Sequence, residues 1–105
     1  MDDVIVVGGG PAGALAALIL SRAGARVQIF DRARFPRPKL CGDTLNPGAM
    51  RVLAEHMPTD TLIEQSLPLD GMLLTGPKGV QVRGHYGRGL FGRSIARRAL
   101  DAMLV

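Results

Sequence analysis

Three glycines and one aspartate in the first 31 residues have the types and the spacing of a phosphate and ribose site. Gly8, Gly10 and Gly13 form the pattern G-x-G-x-x-G, and Asp31 lies twenty-one residues after Gly10. A turn of this kind brings backbone N–H groups close to a pyrophosphate, and a carboxylate at about this distance accepts hydrogen bonds from an adenosine ribose. The chemistry that these residues indicate is dinucleotide binding.

Each residue of the turn has a separate expected task. Gly8 permits the sharp turn, Gly10 lets a pyrophosphate approach the backbone, and Gly13 lets a helix pack closely on the preceding strand. Pro11 suits the first helical turn, because it lacks an N–H group that would have no helical partner there. The remaining N–H groups and the positive end of the helix dipole would then face the phosphate. A glycine-rich turn that binds no ligand is the alternative interpretation.

The segments around the turn predict a parallel βαβ unit. The run from Val4 to Val7 is apolar and β-branched, as in a parallel strand that is buried on both faces. Small and apolar residues from about Pro11 to Ala23 predict a largely buried helix, and Ala25 to Phe30 predict the second strand. This order indicates an α/β fold of the Rossmann-like type, with an FAD- or NAD(P)-binding βαβ unit.

A basic segment follows Asp31. Residues 32–39 contain two prolines and four cations, of which Arg32 is the first, and they predict an extended, stiff segment. Such a segment is commonly a solvated loop. Directly after a dinucleotide-binding unit, it can instead lie over the cofactor and offer cations to its phosphates.

The rest of the chain predicts short elements. Asn46 is expected to cap a helix that has Pro47 at its first position and stops before Pro58. Thr61 and Glu64 form a possible capping box for one further turn. The next predicted element is a β-hairpin from Met72–Thr75 and Val80–Arg83. Residues 84–92 are rich in glycine and predict a loop or a short irregular strand, and residues 94–104 predict a C-terminal helix in which Arg97 and Asp101 lie four apart.

Composition restricts the class of protein. A chain of 105 residues is one domain at most, and its lone Cys41 excludes an internal disulfide framework. No Cys or His cluster has metal-site spacing, so no metal is expected. Two aspartates stand where a signal peptide needs positive charge, and no apolar run reaches the ~18 residues of a membrane span. We therefore expect a cytoplasmic protein without a transmembrane segment.

Positive charge is concentrated in two regions of the chain. The net charge is +4, residues 26–39 carry five cations against Asp31, and residues 71–105 are net positive by five. Nucleic-acid binding is not expected, because only Phe35, Tyr86 and Phe91 could stack on bases and no nucleic-acid motif is present. A phosphate-bearing cofactor accounts better for the arginines.

Three blocks of sequence resemble one family. They are V-I-V-V-G-G-G-P-A-G ending at Gly13, D-R-A-R-F-P-R-P-K-L-C-G from Asp31 to Gly42, and A-R-R-A-L-D-A-M-L ending at Leu104. The chain thereby resembles the N-terminal part of the flavin-dependent oxidoreductases of the geranylgeranyl reductase type, which are relatives of the aromatic-ring hydroxylases and tryptophan halogenases.

The resemblance implies an FAD site and assigns residues to it. Ala12 and its neighbours would lie at the pyrophosphate and Asp31 at the adenosine ribose. Cys41, Gly42 and Thr44 would lie near the flavin side, and Arg97 would contact FAD.

The resemblance also implies that residues 1–105 are the N-terminal portion of an FAD-binding domain without a second domain. Family members are several hundred residues long, and their later Gly-Asp motif has no counterpart here. We therefore expect an incomplete domain that is inactive alone and that self-associates through open sheet edges.

Three functions remain open from the sequence. The first is the FAD-binding part of an oxidoreductase that takes electrons from NAD(P)H and acts on an isoprenoid-like or aromatic small molecule, by reduction or monooxygenation. The second is a fragment of a nicotinamide-dependent dehydrogenase, in which Asp31 would repel a 2′-phosphate and so favour NAD. The third is a truncated, non-catalytic Rossmann-like module.

Overall fold

The computed structural model describes residues 1–105, which form two units. The first unit contains residues 1–42 and 96–105, and the second contains residues 43–95. In chain order the elements are β1 (Val4–Val7), α1 (Pro11–Arg22), β2 (Val27–Phe30), β3 (Thr44–Leu45), α2 (Pro47–His56), α3 (Asp60–Glu64), β4 (Leu67–Leu69), β5 (Gly71–Thr75), a 3-10 turn (Pro77–Gly79), β6 (Gln81–His85), β7 (Gly92–Ser94) and α4 (Arg97–Leu104).

The predicted βαβ unit is confirmed in the first unit. Strands β1 and β2 pair in parallel with Val4 opposite Val27 and Val7 opposite Phe30. Helix α1 connects them, with Pro11 at its start and Ala23 as its C-cap. The Gly8 N–H donates to the Phe30 carbonyl at 2.7 Å, which extends the pairing to the point where the chain leaves β1.

The prediction that β1 is buried on both faces is wrong. Val6 lies under α1, because a Cβ on Gly13 would be 3.2 Å from the Val6 side chain. On the opposite face Ile5 is 59% exposed and Val7 is 86% exposed. Helix α1 covers one face of the two-stranded sheet, and no element of the first unit covers the other.

Helix α1 is also less buried than its composition predicts. Ala14 and Ala17 are buried, whereas Ala12, Ala16 and Ile19 are exposed. Its apolar surface is wider than the surface that the two strands cover, so the expectation of a largely buried helix is wrong.

The second unit contains two antiparallel sheets. One has the order β3-β7-β4, with Thr44 opposite Ser94 and Leu67 also opposite Ser94. The other is the predicted hairpin, in which β5 pairs with β6 from Gly71 opposite His85 to Thr75 opposite Gln81. The buried apolar side chains of this unit are Leu53, Leu62 and Ile95.

Of the two helix caps predicted in the second unit, one is present in the structure and the other is not. Asn46 caps α2, because its Oδ1 accepts the Ala49 N–H at 2.8 Å, as its type and position predict. Helix α3 begins after Thr59 without a side-chain cap, so the capping box predicted at Thr61 is wrong.

The C-terminal helix is confirmed but is shorter than predicted. It begins at Arg97, because Ser94 is paired in β7 and therefore has extended backbone.

Candidate dinucleotide site

The glycine turn connects β1 directly to α1. Gly8 has a φ of +105°, which a residue with a side chain rarely adopts. A Cβ on Gly13 would lie 1.9 Å from the Gly8 carbonyl oxygen. The close packing of helix on strand that the motif predicts for Gly13 is therefore present, and it requires glycine.

The N-terminus of α1 is open to an anion. Gly10 is its N-cap residue and offers no capping side chain, Pro11 is at the first helical position, and the first turn carries no acidic residue. The backbone N–H groups of a first turn have no partners within the helix, and the helix dipole places positive charge there. Ala12 lies in this turn and is exposed, so the geometry is that of an anion-binding helix end.

Asp31 follows β2 and binds the glycine turn. Its Oδ2 accepts the Gly9 N–H at 2.7 Å, and its Oδ1 accepts the Ala33 N–H at 2.8 Å. These two bonds, the Gly9 bond above all, lower the pKa of Asp31 below its ordinary value, so the carboxylate is ionised at neutral pH. Each carboxylate oxygen has a second acceptor position, which leaves capacity for a hydroxyl group.

A cleft of about 520 Å³ opens at the carboxyl ends of β1 and β2. The residues that line it are Val7, Gly8, Phe30, Asp31, Arg32, Ala33, Arg37, Pro38 and Lys39. Ligands of parallel α/β sheets bind at this end of the strands. The predicted basic segment therefore forms part of the cleft wall and brings three cations to it.

A buried carboxylate connects the basic segment to α4. Asp101 has no exposed surface, and its Oδ2 accepts a hydrogen bond from Arg37 Nη1 at 2.6 Å. Its Oδ1 accepts Arg97 Nε at 2.8 Å, and its Oδ2 also accepts Arg97 Nη2 at 3.0 Å. We call Arg37, Arg97 and Asp101 the Asp101 cluster. The Cζ atom of Arg37 also lies 4.6 Å from the centre of the Phe35 ring, within cation–π range.

Electrostatics keep the Asp101 cluster charged. Burial by itself raises the pKa of Asp101, but the hydrogen bonds and charges of Arg97 and Arg37 outweigh burial, and the pKa lies below its ordinary value. The Asp101 hydrogen bonds in turn raise the pKa of Arg97, with a smaller contribution from Cys41. With two cations and one anion, the cluster carries a net charge of +1.

Arg97 lies next to the glycine turn. A Cβ on Gly10 would be 3.4 Å from Arg97 Nη2, the one atom from a distant residue within 4 Å of that position. Cys41 is exposed and interacts with Arg97. The structure thus brings together Gly10, Arg97 and Cys41, which are far apart in the sequence.

The other residues of the predicted flavin side lie nearby in sequence. Gly42 is exposed at the end of the continuous segment of the first unit. Thr44 belongs to the second unit, where it pairs with Ser94. Their contact with a flavin stays a prediction.

Two residues of the site were not found from the sequence. The sequence shows the spacing of Asp101 from Arg97, but the burial of Asp101 and its bond to Arg37 depend on contacts between distant segments. Gly9 is buried, and the Phe35 ring would lie 3.2 Å from a Cβ placed on it. Only the run of three glycines indicated a role for Gly9.

A parallel βαβ unit with a glycine turn, an acid after the second strand and a basic cleft defines a dinucleotide-binding fold. The family model described as "FAD binding domain" matches residues 1–97, and the chain therefore belongs to this family. The family match confirms FAD as the cofactor that the resemblance implied.

Relatives and solved structures agree with this assignment. The chain is 55% identical over 51 residues to menaquinone reductase of Mycolicibacterium smegmatis, covering 49% of this chain and 12% of that protein. It is 49% identical over 49 residues to geranylgeranyl diphosphate reductase of Rhodobacter capsulatus, covering 47% of this chain and 12% of that protein. The structure of the myxobacterial chondrochloren halogenase CndH matches with a TM-score of 0.87 and 27% identity, covering 98% of this chain and 25% of that one.

The matched segments thus cover about an eighth of the length of these reductases, and the chain covers a quarter of the halogenase. It is part of an FAD-binding domain, and the relatives that it matches include reductases. None of the four helices has both the length and the apolar character that crossing a membrane requires.

Proposed function

We propose that this chain binds the ADP part of FAD in the cleft beside the glycine turn, as the cofactor-binding portion of an oxidoreductase that takes electrons from NAD(P)H. The observation that carries the proposal is that Gly8 of the turn and Asp31 line one basic cleft of about 520 Å³. Family membership identifies the dinucleotide as FAD and favours it over the NAD of a dehydrogenase fragment.

Different residues of the chain would bind the pyrophosphate, the ribose and the flavin of the cofactor. The pyrophosphate would accept N–H groups from the first turn of α1, near Gly10 and Ala12, and would lie beside the Arg97 guanidinium. The ribose hydroxyls would donate to Asp31. We assign Cys41, Gly42 and Thr44 to the flavin side of the cofactor on the basis of the family resemblance.

The charges of the cleft suit a ligand with two phosphate groups. Arg32, Arg37 and Lys39 line it, and Asp31 is its one acidic residue. Arginine pairs with phosphate oxygens through parallel N–H groups, which gives orientation as well as attraction. When bound, the flavin supplies hydride and oxygen chemistry. The chain's own residues bind the cofactor and fix its orientation.

The substrate class is inferred from the relatives. Two of them are named as reductases of menaquinone and of geranylgeranyl diphosphate, and another is named as a p-nitrophenol monooxygenase. An isoprenoid-bearing or aromatic small molecule is therefore the proposed substrate of the whole protein. The expected location is the cytoplasm.

Flavin fluorescence tests the cofactor proposal. FAD added to the chain should bind, ADP should displace it, and FMN, which lacks the adenosine part, should bind at least about tenfold more weakly. Equal affinities for FMN and FAD would contradict an ADP site. NAD binding as tight as FAD binding would support the dehydrogenase alternative.

Self-association is a further expectation for the chain by itself. Ile5, Val7 and Phe30 are at least half exposed on the open face of the β1–β2 sheet, and a second copy would cover this apolar surface. Sedimentation velocity should show dimers or larger species, and Ile5→Lys should shift them to monomer whereas Ala16→Lys on exposed α1 surface should not. A strictly monomeric chain that oxidises NADPH rapidly with added FAD would contradict both this expectation and that of an inactive part.

A further inference from the structure

Asp101 is the most deeply buried charged residue of the chain, and the proposed contacts with FAD do not include it. It has no exposed surface, yet it accepts three hydrogen bonds from the two arginines of the Asp101 cluster. A buried carboxylate is costly unless it is paired, and here both oxygens are paired. The two arginines come from different segments, 64 and four residues away from Asp101.

The bond to Arg97 determines where its guanidinium lies. Asp101 takes Nε and one hydrogen of Nη2, so two of the five N–H groups of Arg97 are fixed in one plane. The same Nη2 is the atom that lies 3.4 Å from the Cβ position of Gly10. The Asp101 carboxylate, with a smaller contribution from Cys41, therefore orients the cation that lies at the N-terminus of α1.

The bond from Arg37 to Asp101 orients a guanidinium of the basic segment in the same way. Arg37 lines the cleft, lies over Phe35 and is only 15% exposed. Asp101 also separates two cations that would otherwise repel each other at this short range. Without the carboxylate, both guanidinium groups would lose the charged hydrogen bonds that orient them.

We propose that Asp101 is a positioning residue, which holds Arg97 and Arg37 in the orientation that receives the pyrophosphate of the cofactor. The proposal rests on the proposed function, since it needs a phosphate ligand at the glycine turn. It goes beyond that function because Asp101 itself does not touch the ligand.

The charge of Asp101 makes the proposal sharply testable. Asp101→Asn raises the net charge of the cluster from +1 to +2, so simple Coulomb attraction would tighten phosphate binding. Loss of orientation would weaken it instead, because an Asn side chain places an NH₂ group against a guanidinium. The two explanations therefore predict changes of opposite sign.

The experiment measures the affinities of FAD, ADP and adenosine for three proteins: the unmodified chain, Asp101→Asn and Asp2→Asn. Asp2 is exposed ahead of β1 and makes a matched control for the change of charge. We expect Asp101→Asn to weaken FAD and ADP about tenfold or more, since hydrogen bonds to charged groups have this size. Adenosine, which has no phosphate, should change by less than twofold, and Asp2→Asn should leave all three affinities within twofold.

Several results would overturn the proposal. Equal or tighter binding of ADP by Asp101→Asn would show that the carboxylate only offsets charge. Equal weakening of ADP and adenosine would show that Asp101 only supports the fold. If the unmodified chain bound neither FAD nor ADP, the proposed function would fail and this inference with it, which is distinguishable from a failure seen in the variant alone.

A second measurement keeps the test decisive if Asp101→Asn does not fold. In the unmodified chain, the Arg97 Nε–H resonance should be protected from solvent exchange before ligand is added, and it should shift when ADP is added but not when adenosine is added. A resonance that exchanges freely with solvent, or that ADP does not move, would contradict a preset orientation of Arg97.

Discussion

Asp31 holds the backbone amide of Gly9, with its Oδ2 atom 2.7 Å from the Gly9 nitrogen. This bond connects the end of β2 to the glycine turn that follows β1. The carboxylate that faces the cleft therefore also shapes the turn, so the expected effects on binding and on folding come from one side chain.

Replacing Asp31 should separate these two roles. Asp31→Ala loses a charge-assisted hydrogen bond to the ribose as well as the bond to Gly9, and we expect FAD affinity to fall by about ten- to more than a hundredfold. Asp31→Asn keeps one carbonyl acceptor for Gly9, so its melting temperature should lie closer to that of the unmodified chain. If the affinities of Asp31→Ala for FAD and NAD both stayed within twofold, the acid would not be at the ribose.

Two glycine substitutions should separate cofactor binding from stability. Gly10 has a φ of −71° and only Arg97 near its Cβ position, so Gly10→Ala should fold normally while its methyl group impedes the pyrophosphate. In Gly13→Ala the Cβ would overlap the Gly8 carbonyl, and the first unit should be strongly destabilised. Circular dichroism melts and FAD titration separate the cases. A Gly10→Ala variant that binds FAD normally would place the pyrophosphate elsewhere.

Those parts of the fold that depend on local patterns could be predicted. The turn, the parallel pairing of β1 and β2, the Asn46 cap and the hairpin each follow from residues that are adjacent or close in sequence. The acid at Asp31 could be placed because its position is fixed by the lengths of one helix and one strand.

The parts that depend on distant contacts could not be predicted. Burial of Asp101 requires Arg37 from a segment 64 residues away. The hydrophobic periodicity of a sequence does not predict such a pairing. Strands β3, β4 and β7 have only two or three residues each, which is too short for an alternating pattern. The open face of β1 could not be seen either, because apolar composition does not show which face a helix covers.

The Asn46 cap gives a direct test of the second unit. Asn46→Ala should lower the free energy of unfolding by about 1 kcal/mol, because the Ala49 N–H loses its acceptor. Thr59→Ala is the matched control, since Thr59 also precedes a helix but makes no side-chain cap bond. Urea denaturation should show the loss in the first variant only, and equal losses in both would show that the capping bond does not stabilise the unit.

Acid should weaken the Asp101 cluster. The pKa of Asp101 in the folded chain lies below its ordinary value of 3.8, so its stabilising contribution is complete above that value and is lost as pH falls through the lowered pKa. The difference in stability between the unmodified chain and Asp101→Asn should therefore be constant from pH 7 to about pH 5 and shrink below pH 4. Chemical denaturation across this range measures it.

The exposed pair of Asp3 and Arg26 serves as the control for the burial of the Asp101 cluster, with salt as the variable. Their side chains are 48% and 64% exposed, and such surface pairs contribute little and are screened by salt. Asp3→Asn should have a small effect that disappears in about 0.5 M salt, whereas the Asp101 effect should persist. If both effects disappeared with salt, the Asp101 cluster would not behave as a buried ion pair.

Amide chemical-shift mapping with ADP tests the central claim most directly, because it reports where the shared part of FAD binds. We expect the largest shifts at the amides of Gly9, Gly10, Ala12 and Gly13 and around Asp31, with the hairpin of β5 and β6 unchanged. Shifts that centre on the hairpin, with the glycine turn unmoved by saturating ADP, would contradict the account.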